Sequence, residues 1–440
     1  MTRRLLALVA AGALALGVTP ARAYVPEKTP KRHLEASIRR TMRLPPVRPS
    51  RPGLLVLRGG RPIITINADN AFQPASMLKL ATTTAAMVRF GADHRFVTRL
   101  VGGKPKGGAT GTVTLVGGGD PTLATRAYRH YNFFPKPNDP VPVPVFSTAS
   151  PTIEQLAATI AAAGVRRVNG DLIVDDTLFD ARRTQPGWIP DYTRNDPDVA
   201  YISALTVNEG YSDIKGDHLF ADPATGAGVA LKTALGNIGV VVSGSVRRGR
   251  APAGAQEIAR VSSPPLAQII AYTNRYSINY DAELLLKSLG ASFGSGGTTA
   301  SGAAVVRATL TQLGIATDGL SQRDGSGLST LNRATPRMLG AILSWILTAK
   351  SREGEALRNS IPVAGGPGTL FKRMTKPPTG GNLRGKTGFI RHVRGMAGWV
   401  TPPDGVPLVY VAVFNDVPRP LDLTSPIDLI GLALALFGSP

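Results

Sequence analysis

The sequence predicts an α+β protein, because strand patterns at both ends of the chain flank a series of helical segments. Near the start, residues 54–57 and 63–66 are apolar runs on either side of Gly59-Gly60, as expected for a β-hairpin. Near the end, residues 395–400 and 408–414 have the same strand character. With 440 residues, 43% of them hydrophobic, the chain can bury a substantial core and is long enough for more than one domain.

The first residues have the order of a secretory signal peptide. Arg3 and Arg4 precede an apolar run, and Ala21-Arg22-Ala23 is a small-x-small cleavage site. The run is too short to span a membrane. The arginine pair also faintly resembles a twin-arginine signal, so the export route stays open. We therefore expect residues 1–23 to be removed, leaving a protein in the periplasm or cell-wall space, soluble or loosely associated with the envelope.

Charge and composition exclude several classes of function. The formal net charge is +21, and removal of three arginines with the signal peptide would leave +18. This charge favours anionic cell-envelope polymers, but the basic residues are scattered and have no interleaved aromatics, so we expect no nucleic-acid partner. Cysteine is absent and the five histidines are scattered, so no metal-ligand cluster is evident.

The remaining elements follow from periodicity and from turn residues. After a Pro/Arg-rich stretch and the hairpin, residues 77–90 form a largely apolar helical pattern. A weak internal echo links residues 164–171 with residues 239–245 and indicates small β-rich units in the middle of the chain. The other patterns are strands at 112–116 and 171–175, loops at 135–144 and 191–198, and helices at 154–163, 266–273, 281–289, 302–313, 336–350 and near 429–437.

Three short motifs occur in a fixed order and together suggest acyl-transfer chemistry: Ser76-Met77-Leu78-Lys79, Ser277-Ile278-Asn279 and Lys386-Thr387-Gly388. They supply a serine nucleophile, a lysine that can take its proton, a polar relay and a cationic cradle for a carboxylate. Each motif is weak alone. The second also fits a Ser/Asn helix cap, and the third an edge-strand lysine before a glycine bulge.

Ser76 is the expected nucleophile because it begins a helix, where positions i and i+3 share a face and Lys79 can reach its hydroxyl. Burial in an apolar helix lowers the pKa of a lysine toward that of a usable base. Ser212 and Lys215 have the same spacing but lie in a polar loop, so we expect Ser212 to be a decoy. Ser292, within a Gly-x-Ser-x-Gly sequence, follows a helix instead of a strand and lacks the context of a nucleophile elbow.

In this order the motifs resemble those of the penicillin-recognising serine enzymes. The 201 residues from Ser76 to Ser277 are too many for a compact class A β-lactamase and imply an insertion. Four further segments narrow the resemblance to the type-4 (class C) penicillin-binding proteins, the D-alanyl-D-alanine carboxypeptidase/endopeptidases of peptidase family S13: Asp120-Pro121-Thr122-Leu123, Pro186-Gly187-Trp188, residues 324–329 and Pro362-Val363-Ala364-Gly365.

The resemblance implies a role for each motif residue in cleaving peptidoglycan stem peptides. Ser76 would attack the carbonyl between two D-alanines, and Lys79 would accept its proton. Ser277 would relay a proton to the leaving amine, and Asn279 would orient the lysine and the substrate amide. Lys386 and Thr387 would hold the terminal carboxylate, with Gly388 also part of the substrate-binding site. Backbone N–H groups of Ser76 and Phe389 would form the oxyanion hole. No metal or cofactor is implied, and β-lactams would acylate Ser76.

The resemblance also implies a fold and a division of the chain. The catalytic domain would be serine β-lactamase/transpeptidase-like, a five-stranded antiparallel sheet between helices. It would be assembled from residues 24–100 and 264–440, with inserted small β-rich domains at 101–263.

Three positions depart from the family pattern. Phe389 stands where a hydroxyl residue often follows Lys-Thr-Gly, and Thr330 stands where arginine is common. Pro367 replaces an acidic residue often found there. Two rival functions therefore stay open: a non-catalytic wall-binding protein on the same scaffold, and a serine β-lactamase, for which the spacing identifies no second base.

Overall fold

The computed structural model describes residues 28–133, 150–194, 197–419 and 421–438. The predicted signal peptide at residues 1–23 and the loop predicted at residues 135–144 lie outside these ranges. In the described part of the chain, no helix is both long and apolar enough to cross a membrane.

Helices are distributed along the described chain. They are α1 (Lys28–Met42), α2 (Lys79–Phe90), α3 (Arg126–Phe133), α4 (Ile153–Ala162), α5 (Pro223–Gly236), α6 (Leu266–Tyr276), α7 (Asn279–Phe293), α8 (Thr299–Gln312), α9 (Pro336–Thr348), α10 (Arg352–Ser360) and α11 (Thr424–Ala435), with short 3-10 turns at Ala75–Leu78, Pro190–Thr193 and Asn208–Gly210.

The strands are β1 (Arg51–Arg58), β2 (Arg61–Ile66), β3 (Val97–Gly102), β4 (Ala109–Thr110), β5 (Val113–Val116), β6 (Arg167–Val168), β7 (Leu172–Asp175), β8 (Val241–Val242), β9 (Val246–Arg248), β10 (Gln256–Ser262), β11 (Arg384–Ile390), β12 (Val393–Val400) and β13 (Leu408–Asn415).

Five of these strands form an antiparallel sheet that joins the two ends of the chain. Its order is β11-β12-β13-β1-β2, so the N-terminal hairpin pairs with the C-terminal strands through β1 and β13. Gly59 and Gly60, both with positive φ, form the turn of the hairpin. β11 is an edge strand. The predicted α+β class and the predicted five-stranded antiparallel sheet are confirmed.

Helices cover both faces of this sheet, and the side chains of the central strands alternate between two cores. Leu55 and Leu57 of β1 pack with α2 and α6–α9, whereas Leu54 and Val56 pack on the opposite face with α1 and α11. Every residue of β13 is buried, as expected for a strand covered on both sides. The three sequence motifs lie where the 3-10 turn Ala75–Leu78 contacts β11 and where α2 packs against α7.

The middle of the chain forms two further sheets, of order β10-β3-β5-β7-β9 and β4-β6-β8. The weak sequence similarity between residues 164–171 and 239–245 corresponds to a structural repeat in this region. After α4, the chain forms β6 and then β7; after α5, it forms β8 and then β9. β6 pairs in parallel with β8, and β7 with β9. The prediction of small β-rich units is thereby confirmed.

Four described helices, α1, α3, α5 and α10, have no counterpart in the periodicity analysis. α1 lies within the Pro/Arg-rich stretch, where Leu34 and Ile38 form a narrow buried apolar stripe. α5 contains three glycines; a Cβ at Gly228 would lie about 2.5 Å from the Val174 side chain, so α5 packs closely against β7. Such a surface gives a weak amphipathic signal.

The division of the chain into domains stays a prediction. β3 begins at Val97, before the boundary predicted after residue 100, and β10 ends at Ser262, beside the boundary predicted after residue 263.

Candidate active site

Ser76 lies on the 3-10 turn Ala75–Leu78, which runs directly into α2. Two close backbone approaches hold this turn. Gly327 has φ +91°, and a Cβ there would lie 2.0 Å from the carbonyl oxygen of Ala75. A Cβ at Gly388 of β11 would lie 2.9 Å from the carbonyl oxygen of Pro74. Only glycine allows these contacts, so both positions help to fix where the Ser76 hydroxyl points.

The side-chain nitrogen of Lys79 contacts three groups from different parts of the chain. Its Nζ lies 3.0 Å from Ser76 Oγ, 2.7 Å from Asn279 Oδ1 and 2.8 Å from the carbonyl oxygen of Ser326. Its side chain is fully buried. Lys79 therefore contacts Ser76 as predicted, and the side-chain oxygen of Asn279 contacts the same lysine nitrogen.

Burial lowers the pKa of Lys79 to about 7, although Asp324, Glu283 and Asp281 act in the opposite direction. A lysine with this pKa is substantially neutral near physiological pH. It can therefore accept a proton from the Ser76 hydroxyl without a large energetic penalty.

The Ser277 motif lies at the junction of two helices. Ser277 ends α6 in the left-handed conformation, with φ +62°, and Asn279 begins α7. Asn279 Nδ2 donates to the carbonyl oxygen of Asp198 at 2.9 Å, which leaves its oxygen directed at Lys79. The backbone at Ser277 and Asn279 therefore forms a helix junction, as the cap interpretation predicted. Their side chains nevertheless contact the two lysines of the site.

Lys386 lies on β11 and is fully buried although the strand is at the sheet edge. Its Nζ donates to Ser277 Oγ at 2.7 Å and to the carbonyl oxygen of Thr387 at 3.0 Å. Burial, and secondarily the positive charge of Lys79, holds its pKa well below the usual value. The pairing of β11 with β12 continues through Gly388 without a register shift. The alternative interpretation of this motif, a lysine before a glycine bulge, is therefore wrong for the backbone.

Residues 324–329, hereafter the 324–329 loop, contribute contacts that motif analysis missed. The Asp324 carboxylate accepts from the backbone N–H groups of Gly327 and Ser329 and from the indole of Trp188. Glu283 accepts from the N–H groups of Gly325 and Ser326, and burial raises its pKa to about 8. These bonds present the Ser326 carbonyl to Lys79.

The two rejected serines lie in other environments. Ser212 is exposed and its hydroxyl donates to the carbonyl oxygen of His218, while Lys215 is also exposed. Ser292 lies near the C-terminal end of α7. In the described part of the chain, no group of three or more Asp, Glu or His side chains is placed to hold a metal ion.

Comparison with known protein families decides the classification. Residues 50–219 and 215–432 match the sequence profile of the D-Ala-D-Ala carboxypeptidase 3 (S13) family. The chain belongs to this family. The resemblance inferred from the three motifs and the four accompanying segments is confirmed.

Two S13-like relatives have similarity over most of the chain. The D-alanyl-D-alanine carboxypeptidase of Actinomadura sp. (strain R39) is 29% identical over 428 residues, covering 79% of this chain and 74% of the relative. Carboxypeptidase Rv3627c of Mycobacterium tuberculosis (strain ATCC 25618 / H37Rv) is 30% identical over 357 residues, covering 79% and 72%.

Solved structures share the fold of this S13 protein. Penicillin binding protein 4 (dacB) from Haemophilus influenzae aligns with a TM-score of 0.73 and 19% identity, covering 93% of this chain and 98% of that chain. A predatory peptidoglycan endopeptidase from Bdellovibrio bacteriovorus aligns with a TM-score of 0.53 and 16% identity, covering 88% and 93%. At these identities the likeness concerns the fold alone. That endopeptidase has also been solved acylated by penicillin G.

The three departures from the S13 pattern lie in different settings. The Phe389 side chain is 65% exposed, and the Arg394 guanidinium stacks 3.6 Å from its ring centroid. The Thr330 hydroxyl donates to the carbonyl oxygen of Gly187. Pro367 is exposed. None of them interrupts the hydrogen bonds of Lys79.

Proposed function

We propose that this protein is a serine-type D-Ala-D-Ala carboxypeptidase and endopeptidase that cleaves peptidoglycan stem peptides and cross-links through an acyl-enzyme. The observation that carries the proposal is the 3.0 Å approach of a buried lysine, Lys79, to the Ser76 hydroxyl. Membership of the S13 family and similarity to D-alanyl-D-alanine carboxypeptidases support the same substrate class.

In the acylation step, Ser76 Oγ attacks the carbonyl carbon between the two D-alanines while its proton passes to neutral Lys79. The developing oxyanion is held by the N–H groups of Ser76 and Phe389. Phe389 lies on an edge strand, where alternate N–H groups face away from the sheet and are available to a ligand.

Collapse of the tetrahedral intermediate breaks the C–N bond, and the leaving amine must gain a proton. Ser277 relays this proton, a role supported by its hydrogen bond to Lys386 Nζ at 2.7 Å. Lys386 and Thr387 hold the terminal carboxylate of the substrate. A carboxylate bound there also restores the charged form of Lys386, whose pKa burial has lowered.

Water then hydrolyses the acyl-enzyme and releases the shortened peptide, with no metal or cofactor taking part. A β-lactam acylates Ser76 in the same way and leaves it slowly. The protein works after export, in the periplasm or cell-wall space. Its net charge, +21 for the full chain and +18 without the signal peptide, supports loose association with anionic envelope polymers.

The test measures two products: D-alanine released from a small peptide ending in D-Ala-D-Ala, and monomeric stem peptides released from a cross-linked dimer. We expect release from both by the signal-free chain, and none by Ser76→Ala. A protein that hydrolyses penicillin rapidly without releasing D-alanine is a β-lactamase. One that does neither, yet binds peptidoglycan, is a wall-binding scaffold.

A further inference from the structure

One cavity is lined by several polar and charged side chains. Its volume is about 410 Å³, and its lining includes Asp180, Arg182, Gln185, Thr299, Gln322 and Arg323. It lies between the segment that precedes Trp188, the start of α8 and the residues just before the 324–329 loop. None of the motif residues lines it.

Three of the lining residues have buried polar atoms that are unpaired within the described structure. Gln185 is 5% exposed, and neither its amide nitrogen nor its amide oxygen has a hydrogen-bond partner. The Thr299 hydroxyl and the Gln322 amide oxygen, at 8% and 9% exposed, are also unpaired. Leaving such groups unsatisfied is costly, so their occurrence in three residues that line one cavity points to a ligand that pairs with them.

The charges around the cavity favour an anion. The Arg182 and Arg323 side chains are exposed at its mouth, and within the described residues neither guanidinium has an ion pair or hydrogen bond. The acidic lining residue, Asp180, is already neutralised by the buried Lys287, whose Nζ donates to it at 2.6 Å. Two guanidinium groups are therefore free to bind carboxylates.

The cavity continues into a larger one and so suits an extended ligand. A neighbouring cavity of about 670 Å³ shares Gln322 and Arg323 with it and runs along α8 beside Arg307. The Arg307 guanidinium donates to the carbonyl oxygens of Thr317 and Leu320. Because these hydrogen bonds occupy it, we assign Arg307 a structural role in the cavity wall and not a ligand-binding one.

Gln322 connects the cavity to the chain segment that positions Lys79. Its Nε2 donates to the Thr82 hydroxyl at 2.9 Å and to the carbonyl oxygen of Asp324 at 3.1 Å. The Thr82 hydroxyl in turn donates to the carbonyl oxygen of Gly325. A ligand that binds Gln322 thus contacts a residue bonded directly to the 324–329 loop.

We propose that this cavity is a non-catalytic site for a short acidic peptide, with carboxylates bound by Arg182 and Arg323 and a peptide amide bound by Gln185 and Gln322. The identity of the peptide rests on the proposed function: the acidic part of a second peptidoglycan stem peptide meets the enzyme in this form. The site would hold one strand while Ser76 acts on another.

The binding experiment uses L-alanyl-D-glutamate, which carries one amide and two carboxylates but no D-Ala-D-Ala bond. Calorimetric titration into the Ser76→Ala protein, and into the penicillin-acylated protein, should give one site in both. Arg323→Gln should weaken this binding about tenfold or more, because a charge-assisted contact is lost. Arg250→Gln, which removes an exposed charge elsewhere, should leave it unchanged.

A stability measurement separates a binding role from a structural one. Gln185→Met removes the unpaired amide at similar volume, so the melting temperature should stay constant or rise while peptide binding weakens. The exposed Gln268→Met is the matched control and should change neither. If Gln185→Met lowers the melting temperature and leaves peptide binding intact, the amide is structural and the assignment is wrong.

Two other outcomes would contradict the proposal. Absence of binding heat with the acylated protein would mean that the cavity holds ordered water only. Glycerol 1-phosphate bound as tightly, and without loss in Gln185→Met, would identify a simple anion site. Since the Ser76→Ala arm needs no acylation, these outcomes remain separate from a failure of the proposed catalytic function, which would appear as a missing penicillin adduct.

Discussion

At the scale of single residues, the site depends on two buried lysines with opposite tasks. In the proposed mechanism, Lys79 must lose its charge to act as a base, whereas Lys386 must carry a charge to bind a carboxylate. Burial lowers the pKa of both, and the positive charge of Lys79 further lowers the pKa of Lys386. The hydrogen bonds of Lys386 to Ser277 and of Lys79 to Asn279 divide these tasks between separate partners.

The pH dependence of acylation follows from these pKa values. Below the Lys79 pKa of about 7 the lysine is protonated and cannot accept the Ser76 proton. The second-order rate constant for β-lactam acylation should therefore rise about tenfold per pH unit in the acid range and level off above pH 7. Circular dichroism at each pH checks that the protein is folded, and Lys79→Ala should not react at any pH. A rate that falls between pH 5 and 7 would contradict the assignment of Lys79 as base.

Lys386→Ala should affect carboxylate recognition specifically. A charge-assisted contact contributes about 1.5–3 kcal/mol, so kcat/KM on a peptide ending in free D-Ala-D-Ala should fall on the order of 10- to 150-fold. The same peptide with an amidated terminus should lose much less. If both peptides lose activity by the same factor, Lys386 is not the carboxylate partner.

Phe389 should limit activity on small substrates. Its exposed ring, stacked by Arg394, offers no hydroxyl to the terminal carboxylate, whereas a cross-linked peptide can cover the ring with its larger acceptor side. Phe389→Ser should raise kcat/KM on a small D-Ala-D-Ala peptide roughly 2- to 13-fold, the effect of a neutral hydrogen bond of about 0.5–1.5 kcal/mol. The backbone N–H at this position is unchanged by the substitution. A fall in small-peptide turnover would mean that the ring belongs to the working site.

At the scale of elements, the Ser76 turn is positioned by backbone contacts that leave no room for side chains. Gly327→Ala would place a Cβ 2.0 Å from the Ala75 carbonyl oxygen at a positive φ. Gly405, also at positive φ but with nothing within 4 Å of its Cβ position, is the matched control. We expect Gly405→Ala to lower the free energy of unfolding by about 1–2 kcal/mol, the cost of a left-handed alanine.

Gly327→Ala should be more destabilising than this control and should also slow penicillin acylation, because the displaced turn carries the nucleophile. Denaturant unfolding and labelling rates measure the two effects. Equal unfolding midpoints for the two variants, with normal labelling of Gly327→Ala, would show that the loop does not position Ser76.

Residue type and helical spacing predicted Ser76 and Lys79 directly. The roles of Asn279 and of the backbone N–H groups of Ser76 and Phe389 came from the family resemblance, since a backbone group has no signal of its own in the sequence. The Ser326 carbonyl that binds Lys79 has no residue-specific signal. Glu283 precedes the apolar run Leu284–Leu286 on α7, but spacing could not indicate which N–H groups its carboxylate would accept from.

At the scale of the whole molecule, chain connectivity explains what periodicity could and could not show. The catalytic sheet pairs β1 with β13, across more than 350 residues of sequence. Such pairings follow from the family resemblance and not from local pattern. In the middle region, by contrast, Gly164 and Gly239 mark equivalent points after α4 and α5, so the local echo did reveal the parallel repeat. The glycine-rich α5 left no comparable signal.

The central claim is that Ser76, and no other serine, forms the acyl-enzyme. Incubation with a fluorescent penicillin, followed over time by gel fluorescence and by mass spectrometry of the labelled peptide, tests it directly. We predict a stable adduct on Ser76 in the native chain and in Ser212→Ala, and no adduct in Ser76→Ala. Label retained by Ser76→Ala and lost in Ser212→Ala would contradict the account.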